Sequence, residues 1–181
     1  MKNIFFPITC FVIIAVILIS CGQQPKTTDN QPKKDQARAK PETMLLSAYL
    51  GLKNALIADD AATAAKSGNQ LLAALNQMNQ IGTAAGRSND YAEMVDDIKE
   101  NATHIAANAD RITHQREHFE SLSNDVNDLV DLLGAPQKLY LNRCPMYNNG
   151  KGAIWLSETK AIKNPYYGKR MLTCGAITKE Y

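Results

Sequence analysis

Residues 112–136, ITHQREHFESLSNDVNDLVDLLGAP, decide the fold of the chain. Apolar side chains recur there at the three- and four-residue spacing of an amphipathic helix. They are Ile112, Phe119, Leu122, Val126, Leu129, Val130 and Leu133. Gly134 and Pro136 then stop the pattern, because glycine favours helix ends and proline cannot continue a helix. The stretch therefore predicts a helix that ends at Gly134 and buries one face.

Three earlier segments carry the same helical period. The first runs from about Glu42 to Ala58, the second starts at Ala61 and is ended by Gly82 and Gly86, and the third runs from a cap at Ser88 or Asn89 to Ala109. Four amphipathic helices with short connections predict an all-α protein, an antiparallel up-down four-helix bundle with one shared core. A coiled-coil rod is the alternative. For residues 135–181 we expect an irregular, aromatic-rich segment packed on the bundle.

The first forty residues predict an export signal and a tether. Lys2 precedes an apolar run from Ile4 to Ile19, which is typical of an export signal over residues 1–20 and too short for a spanning helix. Residues 18–21, LISC, resemble the lipobox of bacterial lipoproteins, in which the cysteine is acylated and the chain is cut before it. Cys21 is therefore the expected lipidation site. Residues 21–40 are polar and predict a flexible tether to a single domain over 41–181.

A lipidated Cys21 predicts that the protein is attached to a membrane through its lipid anchor and faces the periplasm. Gly22 stands where an aspartate often signals retention in the inner membrane, which favours the outer membrane. An ordinary secreted protein with an incidental cysteine is the alternative.

Composition and charge exclude several classes of protein. With 45% apolar and 21% charged residues among 181, the chain has the composition of a globular protein. A net charge of +2 is too small to predict a nucleic-acid partner. Two of the four cysteines lie in or just behind the apolar leader, which excludes a scaffold of several disulfides.

Charge is divided unevenly along the chain. Residues 42–134 carry 6 basic and 14 acidic side chains, whereas residues 135–181 carry 8 basic and 2 acidic ones. The C-terminal segment also holds most of the aromatic residues outside the leader, and such side chains usually seek burial. Both features predict that the tail folds back over the acidic helices, although two separately solvated surfaces would show the same totals.

The tail contains two cysteines, each close to a methionine. Cys144 is followed by Met146, and Met171 precedes Cys174. Thiolate and thioether ligands together favour Cu(I) or Ag(I) over hard ions, and zinc rarely takes methionine. The spacing alone leaves three alternatives: a soft-metal site, a disulfide between Cys144 and Cys174, and unpaired thiols.

The tail resembles a bacterial domain family of formally unknown function. The similar residues are Tyr140, Cys144-Pro145-Met146, Gly152-Ala153, Trp155-Leu156-Ser157, Ile162, Asn164-Pro165-Tyr166, Gly168, Met171-Leu172 and Cys174-Gly175, with Gln115-Arg116-Glu117, Phe119 and Leu122-Ser123 upstream. Members occur as small lipoproteins and as C-terminal extensions of periplasmic adaptor subunits of copper and silver efflux systems. Tyr167 stands where the family commonly has phenylalanine.

This resemblance implies a helical domain that handles heavy-metal ions, with Cys144, Met146, Met171 and Cys174 as the metal ligands. It covers residues 45–177, and the tail motifs are its specific part. Because no adaptor is attached in this chain, the protein would either meet an efflux adaptor as a separate partner or trap Cu(I) or Ag(I) by itself. The alternative is a non-catalytic interaction protein whose cysteines form a disulfide.

The three histidines are secondary metal candidates. His114 and His118 are four residues apart and share a helix face, and His104 lies about three turns earlier. An exposed or capping role beside Glu117 and Glu120 is the alternative. The acidic pairs of the third and fourth helices fall on polar faces, which predicts a solvated surface. The sequence has no phosphate loop and no nucleophile motif with an evident base, so we expect no enzyme.

Overall fold

The computed structural model describes residues 40–82 and 89–181. The predicted export signal, Cys21 and nearly all of the tether lie outside the described residues. Within the described part the chain forms four helices, α1 (Pro41–Ile57), α2 (Ala61–Gly82), α3 (Asn89–Ala107) and α4 (Ile112–Leu133). Three strands follow, β1 (Tyr140–Cys144), β2 (Ala153–Ser157) and β3 (Ala176–Glu180), with a 3₁₀ turn at Gly168–Arg170. None of the described helices is both long and apolar enough to cross a membrane.

The helical part agrees with the sequence prediction to within about two residues at each described boundary. Consecutive helices pack on each other, and α4 also packs against β2. The chain turns between α1 and α2 at Asp59 in a left-handed conformation, with a φ of 60°, and Asp60 accepts hydrogen bonds from the amide and the hydroxyl of Thr63. Asp60 therefore caps α2, as its position before the helix indicates.

The expectation of an all-α protein with an irregular tail was wrong. The tail forms a three-stranded antiparallel sheet in the order β2-β1-β3. Tyr140 pairs with Ser157 on one side of β1 and with Glu180 on the other. The strands form because a tail that is packed on the helices must pair its backbone groups, and β1 supplies partners on both of its edges.

Tyr49 is the point at which α1, α4 and the sheet meet. Its side chain is fully buried, and its ring stacks on Phe119 with the centroids 5.3 Å apart. The Tyr49 hydroxyl accepts a hydrogen bond from the amide of Leu156 at 3.1 Å and pairs with the Ser123 hydroxyl at 2.9 Å. Burial raises the pKa of Tyr49 above its ordinary value, so this hydroxyl stays neutral. The predicted packing of the tail on the helices is confirmed by these contacts.

The ion pairs between helices and tail follow the predicted charge division only in part. Lys179 of the tail pairs with Asp131 of α4 at 2.5 Å, as the division predicts. The more buried pair has the opposite polarity, because Lys53 of α1 binds Glu158 of the tail. Burial lowers the pKa of Lys53, while the Glu158 carboxylate acts to raise it. Net charge therefore does not specify the individual contacts.

Arg116 joins the tail to two helices from a buried position in α4. Its Nε donates to the carbonyl of Pro165 at 2.8 Å, and an Nη2 hydrogen donates to the carbonyl of Leu56 at 2.8 Å. Nη2 also lies 2.6 Å from Oδ1 of Asp59, and this guanidinium holds the pKa of Asp59 below its ordinary value. The planar guanidinium can donate to several partners at fixed positions, and the compact ammonium group of lysine cannot reproduce this geometry.

We predict that Arg116→Lys strongly destabilises the protein, since lysine keeps the charge but leaves buried carbonyls without donors. The loss should be about 2–4 kcal/mol in the free energy of unfolding, which lowers the melting temperature by roughly 5–15 °C. Thermal unfolding followed by circular dichroism measures it. Arg111→Lys is the matched control, because Arg111 is exposed and its side chain donates to the side chain of Asn108 in an exposed hydrogen bond rather than to a buried carbonyl. Equal shifts in both variants would contradict the assigned role.

Candidate functional site

The structure brings the two predicted thiols together. Cys144 ends β1 and is fully buried, and Cys174 lies just before β3 and is partly exposed. Their Sγ atoms are 3.3 Å apart although the residues are 30 positions apart in the chain, and no disulfide bond joins them in this structure. The antiparallel pairing of β1 with β3, in which Arg143 faces Ala176, accounts for this approach. We call Cys144 and Cys174 the sulfur pair.

Gly175 allows this close approach. Its φ is +144°, and a Cβ at this position would lie 2.7 Å from Cη2 of Trp155 and 3.1 Å from the carbonyl oxygen of Arg143. A side chain would therefore have to displace a buried indole or the backbone of β1. Glycine at this position keeps the neighbouring Cys174 against Cys144.

Asn164 fixes the loop that carries Met171 and Cys174. It is fully buried, its Nδ2 donates to the carbonyl of Cys174 at 2.8 Å, and its own amide donates to the carbonyl of Leu172 at 2.7 Å. Its Oδ1 accepts the amide of Tyr166 at 2.8 Å. The sequence pattern does not predict this positioning role, although the Asn164-Pro165 dipeptide is typical of turns.

Both predicted methionine ligands lie at the surface. Met146 is 56% exposed and Met171 is 39% exposed. The carbonyl of Met146 accepts the hydroxyl of Tyr167 at 3.0 Å, and the carbonyl of Met171 accepts the amide of Cys174 at 3.2 Å. Neither side chain therefore fills the core, and the two methionines lie close to the cysteines along the chain.

The proximity of Cys144 changes the acidity of Cys174. The hydrogen bond with Cys144 raises the pKa of Cys174, and burial and the charge of Cys144 act in the same direction. Two thiolates at this distance would repel each other. A bound cation replaces the lost proton and removes this repulsion.

The three predicted histidines also converge. His104 comes from α3 and His114 and His118 from α4. The ring of His118 stacks on that of His104 with the centroids 4.3 Å apart and meets the ring of His114 edge-on at 4.6 Å. Burial lowers the pKa of His118, and the charges of His104 and His114 lower it further. We call these three residues the histidine cluster.

A polar cleft of about 470 Å³ lies between α4 and the loop after β1. Glu117 and Glu120 line it from α4, and Tyr147, Asn148, Asn149 and Tyr167 line it from the tail. Glu117 also contacts His114, and Tyr167 also contacts the backbone of Met146. The cleft therefore lies between the histidine cluster and the loop that contains Met146, and acidic and aromatic side chains line it.

The expectation of a fully solvated acidic face was wrong at one position. Asp97 and Asp128 are exposed, but Asp125 is half-buried. Burial raises the pKa of Asp125 to about 6, and the charges of Asp97 and Asp128 contribute. The helical period assigns a residue to a face of its helix, but it does not show whether a neighbouring helix partly covers that face.

The described part of the chain defines a small helical protein with a C-terminal antiparallel sheet. A family model described as "Protein of unknown function (DUF3347)" matches residues 45–138, slightly more than half of the chain, and the chain belongs to this family. No curated protein and no solved structure matches it significantly. The matched residues include the histidine cluster, whereas the sulfur pair and both methionines lie beyond them.

We predict that Gly175→Ala separates the sulfur pair and disturbs Trp155, the single tryptophan of the chain. The contact should cost about 1–3 kcal/mol of stability, which is typical of an overpacked position. Tryptophan fluorescence should shift, and the rate of oxidative cross-linking between Cys144 and Cys174 should fall several-fold.

Gly150→Ala is the control for this substitution. Gly150 also has a positive φ, +85°, but its added Cβ would meet nothing within 4 Å. The control therefore introduces backbone strain without the contact to Trp155. Unchanged cross-linking in Gly175→Ala would contradict the positioning role of Gly175.

We predict that Asp125→Asn stabilises the protein at neutral pH. A carboxyl whose pKa is about 6 when folded and 3.8 when unfolded stabilises the fold fully below pH 3.8, and this contribution is lost as the pH rises through 6. A shift of this size corresponds to about 3 kcal/mol for a buried group, and partial exposure reduces it to about 1 kcal/mol.

Urea unfolding of both proteins between pH 4 and pH 7.5 tests this prediction. The stabilities should converge at the acidic end and differ by about 1 kcal/mol at the neutral end. Glu93→Gln, at an exposed acid of α3, is the control and should show no such divergence. A constant difference at every pH would contradict the assigned origin.

Proposed function

We propose that this protein is a non-catalytic, lipid-anchored periplasmic protein that binds Cu(I) or Ag(I). Cys144 and Cys174 would be the main ligands, and Met146 and Met171 would complete the site. The protein would hold the ion or pass it to a periplasmic efflux adaptor. We also infer that the four helices form an antiparallel up-down bundle, on which the tail that carries this site is packed.

The observation that carries the proposal is the 3.3 Å separation of the two cysteine sulfur atoms, each with a methionine two or three residues away in the chain. A tetrahedral or trigonal centre with metal–sulfur bonds of about 2.3 Å holds its sulfur atoms about 3.8–4.0 Å apart. The sulfur pair would have to open by roughly half an ångström to reach this geometry. A disulfide of about 2.05 Å needs a larger movement, in the opposite direction.

The donor set supports a soft ion over zinc. Thiolates supply negative charge, while the thioethers are neutral and polarisable ligands that zinc rarely accepts. Exposed methionines also suit an ion that has to be exchanged with a partner, because ligands at the surface can be replaced one at a time. The resemblance of the tail to efflux-associated domains and the lipobox-like residues 18–21 support the cellular setting.

The remaining alternative is a structural disulfide between Cys144 and Cys174, which the proximity of their sulfur atoms also favours. A thiol count on protein isolated without reductant separates the two possibilities. Two free thiols support the metal site. A disulfide whose reduction gives no Cu(I) binding supports the structural role.

We predict a graded loss of Cu(I) affinity in variants of the site. Removal of a group that only supports a metal ligand already costs about 10- to 100-fold, so Cys144→Ser or Cys174→Ser should cost more than about 100-fold. Met146→Leu or Met171→Leu should weaken binding about tenfold while preserving side-chain volume. Anaerobic Cu(I) titration against a competing chelator measures these changes.

Met94→Leu is the matched control, since Met94 lies in α3 and packs against the core. It should bind Cu(I) like the wild type. Methionine variants of the tail that also bind like the wild type would exclude Met146 and Met171 as ligands. If Cys144→Ser in addition lowered the melting temperature only under oxidising conditions, the structural disulfide would replace the proposal.

A further inference from the structure

The histidine cluster contains every histidine of the chain. One ring nitrogen of each of His104, His114 and His118 lies within 4.8 Å of the corresponding nitrogens of the other two. Three imidazoles brought together from two helices form a donor set that differs from the sulfur pair. Nitrogen ligands of this kind suit borderline divalent ions such as Zn²⁺ and Cu²⁺.

We propose that the histidine cluster is a second metal site, which binds a borderline divalent cation such as Zn²⁺. Three imidazoles fill three of the four positions of a tetrahedral ion and leave one for water or an incoming ligand. This inference does not rest on the proposed Cu(I) function, because it uses no sulfur atom.

Hydrogen bonds at Nδ1 orient two of the three rings. Nδ1 of His114 lies 3.1 Å from Oε2 of Glu117, and Nδ1 of His118 lies 3.1 Å from Oδ1 of Asn101. Both partners are acceptors, so each Nδ1 donates its hydrogen, and Nε2 is the nitrogen left to bind a metal. Histidine ligands in proteins typically have this arrangement, in which a carboxylate or amide oxygen holds the nitrogen that does not bind the metal.

The corner between α3 and α4 holds the cluster in place. Gln115 is fully buried, and its Nε2 donates to the carbonyl of Ala61 at 2.9 Å and to that of Ile105 at 3.2 Å. Asn108 donates from its side chain to the carbonyl of His104 at 2.7 Å. The backbones that carry the ligands are therefore fixed before a metal arrives, which reduces the entropy cost of binding.

One ring has to turn when the metal binds. The rings of His104 and His118 are nearly parallel, with an interplanar angle of 7°, whereas a metal lies in the plane of each imidazole that binds it. Ligand nitrogens around a tetrahedral ion are about 3.3 Å apart when the metal–nitrogen bonds are 2.0–2.1 Å. His104 is exposed and can rotate to meet this requirement, while the hydrogen-bonded rings of His114 and His118 stay in place.

Negative charge near the cluster favours a cation. Glu117 and Glu100 both lie close enough to His118 to act on its charge state. The two carboxylates partly balance the charge of a divalent ion that is held by neutral ligands.

Zn²⁺ titration of the full chain with Cys144 and Cys174 both replaced by serine tests the proposal. In this background the sulfur pair cannot contribute, so one Zn²⁺ should still bind with the affinity of the wild type. His118→Ala, His114→Ala and His104→Ala should each lower the affinity by more than about tenfold, and Asn101→Ala by about tenfold through the loss of ring orientation. Thr103→Ala, next to His104 on α3, is the control and should change nothing.

Co²⁺ provides a second measurement that reports geometry. A bound Co²⁺ should give the visible absorption of a four-coordinate ion, and each histidine variant should change that spectrum. Zn²⁺ binding that survives replacement of all three histidines, or no Zn²⁺ binding in the serine background, would overturn the proposal. Cu(I) binding by the histidine variants would be intact in either case if the proposed function is correct, so the two failures are distinguishable.

Discussion

The buried guanidinium of Arg116 is the interaction on which the arrangement of this protein depends. It satisfies a carbonyl at the end of α1 and a carbonyl in the tail, and it balances the charge of Asp59. The tail approaches so closely that a Cβ on Gly168 would lie 2.6 Å from Nη2 of Arg116 and 2.3 Å from Oδ1 of Asp59. Since a buried charge without partners is costly, the tail has to be present in its observed position for Arg116 to be tolerated. The position of the sulfur pair follows from that of the tail.

The sequence predicted the helices better than the tail because helices carry their own signal. Four segments with a 3.6-residue period gave the helix bounds, since each helix buries one continuous face. In contrast, β3 shows no alternation of buried and exposed positions, because four of its five residues are exposed. It is a strand because β1 pairs with it, and such a partner lies more than thirty residues away. Patterns within a short window cannot show this pairing.

For the candidate sites, residue chemistry was predictable and relative position was not. The cysteines and methionines could be named as candidate ligands because thiolates and thioethers are uncommon donors. Asn164 and Gly175, which hold Cys174 in place, have roles that only the folded loop defines. Spacing placed His114 and His118 on one helix face. That His104 stacks on His118 depends on the packing of α3 against α4, which the turn at residues 108–111 and the amide of Gln115 determine.

A single turn of α4 connects the two candidate sites. Successive residues of a helix point about 100° apart, so residues 114–117 face in different directions around the axis, and His118 returns to the face of His114. His114 and His118 face α3, Gln115 binds the backbones of α2 and α3, and Arg116 binds α1 and the tail. The side chain of Glu117 contacts His114 and also lines the cleft beside the tail. This turn lies in the part of the chain that matches the family model, whereas the sulfur pair does not. The matched helical part therefore contains all three residues of the histidine cluster and Arg116, which anchors the tail. The sulfur pair lies outside the matched part, and its position depends on that anchor.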